Sequence, residues 1–491
     1  MNLVDLFHNS CNQYPDKPAI ILENLEYSYS IVHRKIHGLT YILLSVGIKS
    51  GDFVTLWMEN SAEFIISYYA ILHTGAMVIP VDPLATPRET SFIIQNAKSR
   101  FILTSPLLYP TAEAVKKQMP NLEIILIDSK LPDGKLDEPI KLDSSEDSLA
   151  KIIYTSGTTG VPKGALLTHG NLMANIHSVN IALHIAEDER LICILPLFHS
   201  FAAMVCMLTP LSVGATIMVL KQFRPDTTLR AIEKYKITIL CGVPSMFLVM
   251  AKLDPALQFD LSSLKYLVSG GAGLPPKISE AFEQRFGIPI HEGYGLSEAA
   301  PVVAVNPLGG KRKSGSIGLP ITGVEVKIVD DNGNELPIGQ IGELVVKGEN
   351  VMQGYLGLPK ETAEALRNGW LYTGDLGKMD NEGYLYIVDR KKEMILVRGQ
   401  NVYPREVENV LYQHPGIAEC VVIPAPDERS GEVVRAVIAP KEPGKLTGKE
   451  IQDFCREKLA PYKIPKYIDF IESFPKTSTG KILKRALLIP K

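Results

Sequence analysis

The chain's 491 residues read as a layered α/β protein with a largely parallel sheet, followed by a β-rich segment and a small α+β unit. Three observations carry this reading. Strand-like runs alternate with amphipathic helices through most of the chain. After about residue 320 the pattern turns to period-two alternation. From 392 onward a compact strand–helix–strand arrangement follows.

Phe64 to Val81 carries no charge, but it reads as a helix ending near Gly75 and then a short strand closed by Pro80 and Asp82. Leu195 to Leu220 is also uncharged and contains Pro196, His199, Pro210 and Gly214. In lipid these would leave backbone groups unsatisfied, so both stretches read as buried core rather than membrane spans. Leu264 to Ser269 (LKYLVS) is a strand, followed by a glycine turn and a helix opened by Pro275 and Pro276 and closed at Gly287. VEVKIVDDNGNELPIGQIGELVVKG is a hairpin about the Asp331-Asn332-Gly333 turn signal. The last unit combines the strand EMILV, a helix from Pro404 with Val407, Val410 and Leu411 on one face, and strands at 417–424 and 432–440. It closes with a helix near 447–459 that buries Ile451, Phe454, Cys455 and Leu459. The boundary before this unit falls in the charged run Asp389-Arg390-Lys391-Lys392-Glu393.

Composition limits the function classes. The chain is 46% hydrophobic and 21% charged, able to bury a large core, and its net charge of −3 offers nothing to a polyanion. Nucleic acid is therefore not an expected partner. Six cysteines, at 11, 193, 206, 241, 420 and 455, show no CxxC spacing, which argues against a zinc–thiolate site or a disulfide framework and for a reducing compartment. With no secretory h-region at the N-terminus, the expected location is the cytoplasm.

One stretch carries chemistry on its face. YTSGTTGVPKG, residues 154–164, interleaves Thr155, Ser156, Thr158 and Thr159 with Gly157 and Gly160, and adds Lys163. Hydroxyls and closely approaching backbone N–H groups suit a polyanion, and the strand-like KIIY before it places the loop at a strand's carboxyl end. It does not fit the common nucleotide-loop pattern, which needs Lys followed by Ser or Thr after the second glycine.

Together with LPLFHSF (195–201), SGGAGLP (269–275), EGYGLSEA (292–299), YTGDLG (372–377), YIVDRKKEMILVRGQNVYP (386–404) and PKTSTGKILKR (475–485), this loop resembles the signatures of the adenylate-forming superfamily. That superfamily comprises acyl- and aryl-CoA synthetases, luciferases and amino-acid adenylation domains. The chain is most similar to bacterial fatty-acid–CoA ligases. The resemblance implies an N-terminal ATP- and acyl-binding domain (1–388) containing a β-rich subdomain, a hinge (389–392) and a small mobile C-terminal domain (393–491). It also implies the reaction. A carboxylate attacks the α-phosphate of ATP, expelling pyrophosphate, and the thiol of CoA then displaces AMP. Joining two anions makes catalysis mostly charge neutralisation and alignment.

The resemblance also assigns roles. The 155–160 loop and Lys163 would hold the β- and γ-phosphates, with Thr155 and Glu298 serving Mg²⁺ and Ser297 reaching the α-phosphate. Gly271, Ala272, Glu292, Gly293, Tyr294 and Gly295 would surround adenine, and Asp375 with Arg390 would take the ribose. Lys481 would bridge the acid and the α-phosphate, and Gly399 would line the approach of CoA. His199 stands where amino-acid-activating relatives carry an Asp, which disfavours an ammonium substrate. It heads an apolar stretch, Phe201 to Cys206, that with Gly295, Ala299, Ala300 and Val302 would form an uncharged acyl pocket. The expected substrate is a medium- to long-chain fatty acid, with an aryl acid, or a carrier protein in place of CoA, as alternatives. Monomer or homodimer, and peripheral membrane contact, stay open.

Overall fold

The computed structural model describes residues 1–135, 144–155, 162–254, 256–427, 431–477 and 482–487. Two large sheets share one core. The first has nine strands, in the order Leu319–Pro320, Val302–Val305, Ile290–Gly295, Tyr266–Ser269, Ile239–Gly242, Arg190–Cys193, Thr216–Val219, Pro18–Leu22 and Leu25–Ser28. From Ile290–Gly295 to Pro18–Leu22 all neighbours are parallel, and antiparallel strands close both edges. The second has seven strands, in the order Gly354–Tyr355, Lys163–Thr168, Leu149–Thr155, Met77–Pro80, Phe53–Trp57, Phe101–Thr104 and Glu123–Leu126. A continuous cluster joins Ile20, Leu191 and Ile217 of the first sheet to Val54, Val78 and Ile153 of the second.

Local chemistry sets these elements where the sequence places them. Ala62–His73 starts on a Ser61 cap and buries almost every side chain, and Met77–Pro80 follows as a fully buried strand. The helix Pro276–Phe286 opens on a proline and ends at Gly287, whose φ of 73° satisfies the left-handed cap. Among the described residues no helix is long and apolar enough to cross a membrane. All six cysteines are free and buried.

The β-rich part is a third sheet of Val324–Val329, Gly342–Gly348, Trp370–Met379 and Leu366–Arg367, with Leu385–Arg390 paired to Trp370–Met379. Its turn works as the sequence implies. The Asp330 carboxylate accepts from the N–H groups of Asn332 (2.9 Å) and Asn334 (2.8 Å), and Gly333 takes φ 84°.

The fourth sheet joins Gln400–Val402, Ile395–Val397, Gly431–Pro440, Ile417–Asp427 and Tyr467–Phe470. It has a core of its own around Val407, Leu411, Val422, Val434, Ile438 and Ile451. The last helix, Gly448–Arg456, is shorter than the pattern suggests. Pro461 disfavours helix at Ala460, and the N–H groups of Lys458 and Leu459 both turn back to the Cys455 carbonyl. Ile451, Cys455 and Leu459 are buried as expected, while Phe454 sits half-buried, edge-on to His414.

Candidate active site

Four of the motifs sit at carboxyl ends of strands, where open α/β sheets hold their ligands. LPLFHSF follows Arg190–Cys193, SGGAGLP follows Tyr266–Ser269, and EGYG ends Ile290–Gly295, all in the first sheet. Tyr154 and Thr155 end Leu149–Thr155 in the second. The third sheet contributes Asp375 and Arg390, which face each other across its antiparallel ladder.

The best-defined group is built around Asp375, whose side chain is 4% exposed. The Tyr294 hydroxyl donates to its Oδ2 at 2.5 Å, and Arg390 Nε lies 2.9 Å from Oδ1. Burial and the neighbouring carboxylate hold the Tyr294 phenol well above its ordinary range, so it remains a donor. The turn is fixed from behind, because Asp375 N–H donates to Thr373 Oγ1 (3.1 Å) and Gly374 N–H to Glu343 (3.1 Å). Each carboxylate oxygen keeps a second lone pair, which leaves capacity for two further hydroxyl donors.

Two residues before Tyr294 on the same strand lies Glu292, also buried. Its Oε1 accepts from Leu274 N–H at 2.9 Å and lies 3.6 Å from Arg405 Nη2, while its Oε2 is buried without a hydrogen-bond partner. Burial, only partly offset by Arg405, lifts this carboxyl to about 7. Gly271 adopts φ 77°, and at Gly273 a Cβ would strike the Arg405 guanidinium at 2.1 Å. An orphaned acceptor beside small residues is a place for a donor-bearing planar group.

On the other side, Glu298 Oε1 accepts from the Tyr355 hydroxyl at 2.9 Å, and burial and Glu298's charge keep that phenol protonated. Lys163 Nζ lies 5.1 Å from the Tyr355 ring centroid, and Thr155 stands opposite Lys163 in the strand ladder. Thr155, Lys163, Tyr355 and Glu298 are thus linked. Ser297 Oγ lies 3.1 Å from Ser200 Oγ. His199 caps the short helix Ser200–Ala203, its Nδ1 accepting from Phe201 N–H at 3.3 Å.

Ser156, Gly157, Thr158, Thr159, Gly160 and Lys481 lie outside the described residues. Gly399, with Arg398 before it, forms a two-residue turn of positive φ (80° and 50°) between Ile395–Val397 and Gln400–Val402. Its missing Cβ faces open space. The turn itself requires this glycine. Gly295 is glycine because a Cβ would meet the Pro301 carbonyl at 2.2 Å, and Ala202, Ala203, Ala299 and Ala300 are buried.

Three contributors were not legible as site residues. Tyr355 lies in unremarkable sequence, and Ser200, although inside the LPLFHSF motif, carries no assigned role there; strand pairing reveals the first and side-chain contact the second. Arg405 belongs to the C-terminal sheet's first helix, yet it reaches Glu292, and Lys277 Nζ meets the Gln413 carbonyl at 2.9 Å. Asp389 pins this approach, accepting from the N–H groups of Arg390 (2.7 Å) and Arg405 (2.8 Å).

The buried Asp375 clamp and the linked group of Thr155, Lys163, Tyr355 and Glu298 suit an adenylate-forming enzyme. Residues 7–356 match the family model of the AMP-binding enzymes and residues 406–481 that of the AMP-binding enzyme C-terminal domain, so the chain belongs to this family and is an AMP-forming acid–thiol ligase. It is 36% identical over 526 residues to the long-chain-fatty-acid–CoA ligase of Bacillus subtilis (strain 168), spanning 99% of this chain and 94% of that one. It is 37% identical over 472 residues to a feruloyl-CoA synthase of an Amycolatopsis species, spanning 96% and 95%. ATP-bound MatB from Rhodopseudomonas palustris superposes with a TM-score of 0.92 at 29% identity, over 99% of this chain and 98% of that one.

Proposed function

We propose that the chain is an ATP-dependent fatty-acid–CoA ligase that activates a medium- to long-chain acid as its acyl-adenylate and transfers the acyl group to CoA. The observation that carries the aliphatic reading is the uncharged run after His199. No carboxylate stands there to hold an ammonium group, and Phe201 to Leu208 is apolar, passing through a π-helical turn at Met204–Leu208. Each added methylene is worth about 0.8 kcal/mol when buried, so chain length should raise affinity until the space ends. The likeness to a feruloyl-CoA synthase favours a second reading, an aryl acid at the same position.

In the first half-reaction Asp375 accepts the ribose hydroxyls while Tyr294 and Arg390 hold its carboxylate in place. The unpartnered Glu292 Oε2 receives the exocyclic amino group of adenine. Lys163 and the strand end at Thr155 meet the departing pyrophosphate. Glu298 and Thr155 offer hard oxygen donors that suit Mg²⁺, which when bound neutralises charge on the phosphate oxygens. Lys481 bridges the acid and the α-phosphate, and Ser297 supports that phosphate. His199, fixed by its cap on Phe201, orients the acid's entry.

The hinge at 389–392 separates two sets of ion pairs. Lys391 is tied to Asp331 (2.8 Å) and Glu343 (3.0 Å) of the third sheet, whereas Glu393 is tied to Lys484 (2.9 Å) near the C-terminus. A swing about Lys392 would withdraw Arg405 and Lys481 and admit CoA. Comparing kcat/KM for decanoate, ferulate and benzoate tests the substrate. Decanoate should exceed benzoate by at least about tenfold, on the methylene arithmetic, and should also be preferred to ferulate; preference for either aryl acid would replace the aliphatic reading.

A further inference from the structure

Four of the chain's ten histidines meet on the N-terminal helices, and none of them belongs to the nucleotide site. His8 lies on Leu3–Gln13, His33 and His37 stand one turn apart on Tyr29–Ser45, and His73 ends Ala62–His73. Ligand atoms of His8, His37 and His73 all lie within 4.8 Å of one another. The ring centroids of His8 and His73, and of His37 and His73, are 4.9 Å apart; those of His8 and His37 are 5.9 Å apart. His33 packs against His8 at 4.4 Å and His37 at 5.1 Å.

Hydrogen bonding does not account for the gathering. His8 Nε2, His33 Nε2 and His37 Nδ1 are buried with no hydrogen-bond partner, and Thr40 Oγ1 lies 3.5 Å from His73 Nδ1, at the outer limit of a bond. Apolar side chains would fill this space without that cost, because a buried polar atom left unpaired is unfavourable. What several converging lone pairs do satisfy is a Lewis acid.

We propose that His8, His37 and His73 form a binding site for one zinc-class divalent ion, which ties the three N-terminal helices together. An all-imidazole set without thiolate or carboxylate suits Zn²⁺, and also Co²⁺, Ni²⁺ or Cu²⁺, whereas Mg²⁺ prefers oxygen. Nitrogens bound at about 2.0–2.1 Å in a tetrahedron stand roughly 3.3 Å apart. The ring separations ask only for small side-chain rotations. Asp5, one turn before His8 on the same helix and close enough for its charge to act on that ring, supplies negative charge at the edge of the site. The fourth position falls to water or to His33.

The test uses the full chain without a polyhistidine tag, stripped with a chelator and dialysed against zinc chloride or cobalt chloride. The wild type should take up one zinc per chain that His37→Leu and His73→Leu do not. With cobalt it should show the intense visible bands of tetrahedral nitrogen coordination. Zinc should raise its melting temperature by several degrees and leave either variant's unchanged. The cobalt spectrum needs no variant, so a misfolded substitution does not decide the outcome. Absence of that spectrum in the wild type, or equal zinc uptake by wild type and a folded variant, would overturn the site.

Discussion

Replacing Asp375 by Asn tests the nucleotide clamp with little change in volume. The carboxylate accepts from Tyr294 at 2.5 Å and pairs with Arg390 at 2.9 Å. An amide offers one oxygen. If it faces Tyr294, the amide NH₂ is turned against the Arg390 guanidinium, donor to donor; if it faces Arg390, the Tyr294 hydroxyl loses its charged acceptor. At least one charge-assisted bond is lost either way, worth about 1.5–3 kcal/mol, and the ribose loses a charged acceptor as well. One such loss corresponds to a roughly 10- to 150-fold rise in the apparent KM for ATP. The assay is ATP–pyrophosphate exchange at varied nucleotide, run in parallel with ATP and 2′-deoxy-ATP. Wild type should discriminate against the deoxynucleotide and Asp375→Asn should discriminate much less. A structural role alone would weaken both nucleotides equally. Unchanged KM together with unchanged discrimination would refute the ribose assignment.

The remaining residues give their own tests. Glu298→Gln removes a charge and keeps the Tyr355 bond available, so adenylation should fall sharply at limiting Mg²⁺ and recover partly as Mg²⁺ rises; near-normal turnover at limiting Mg²⁺ would exclude Glu298 from the metal. Glu292, lifted from 4.5 to about 7 by burial, keeps a proton in the folded chain that the unfolded chain releases. Its contribution therefore declines as pH rises from 4.5 to about 7, by up to about 3 kcal/mol, and is constant outside that window. Urea unfolding at several pH values should show this slope in wild type and not in Glu292→Gln, and identical slopes would contradict it. Lys481→Ala should abolish acyl-adenylate formation and leave CoA attack on supplied acyl-adenylate mostly intact; equal loss of both steps would make the lysine structural.

Much of the fold was legible because its signals are local. The proline-opened, glycine-closed helix at 276–286 and the Asp331-Asn332-Gly333 turn depend on residues within one turn of each other, and both form where the sequence places them. The long uncharged stretches resolve into buried helix and strand because proline and glycine interrupt them. Contacts that join distant segments were not legible. Tyr355 meets Glu298 only because Gly354–Tyr355 pairs with Lys163–Thr168, and Arg405 reaches Glu292 from the distant helix Pro404–Leu411. Gly399 carries a constraint that its motif does not show. A glycine in a recognisable phrase suggests an open channel, but its φ of 80° beside Arg398 shows a turn that needs glycine wherever CoA passes. Gly399→Leu would therefore strain the backbone before it blocked anything. The histidine cluster shows the opposite case, since only the i, i+4 pair on one helix is visible in sequence and the other two rings come from separate helices.

The most direct measurement of the central claim is a single-turnover experiment with enzyme in excess over decanoate, ATP and Mg²⁺, quenched before and after CoA is added. The account predicts that decanoyl-AMP and pyrophosphate accumulate together without CoA, and that on its addition the adenylate is converted to decanoyl-CoA with matching release of AMP. Formation of decanoyl-CoA with no preceding adenylate, or an adenylate that CoA leaves untouched, would contradict it.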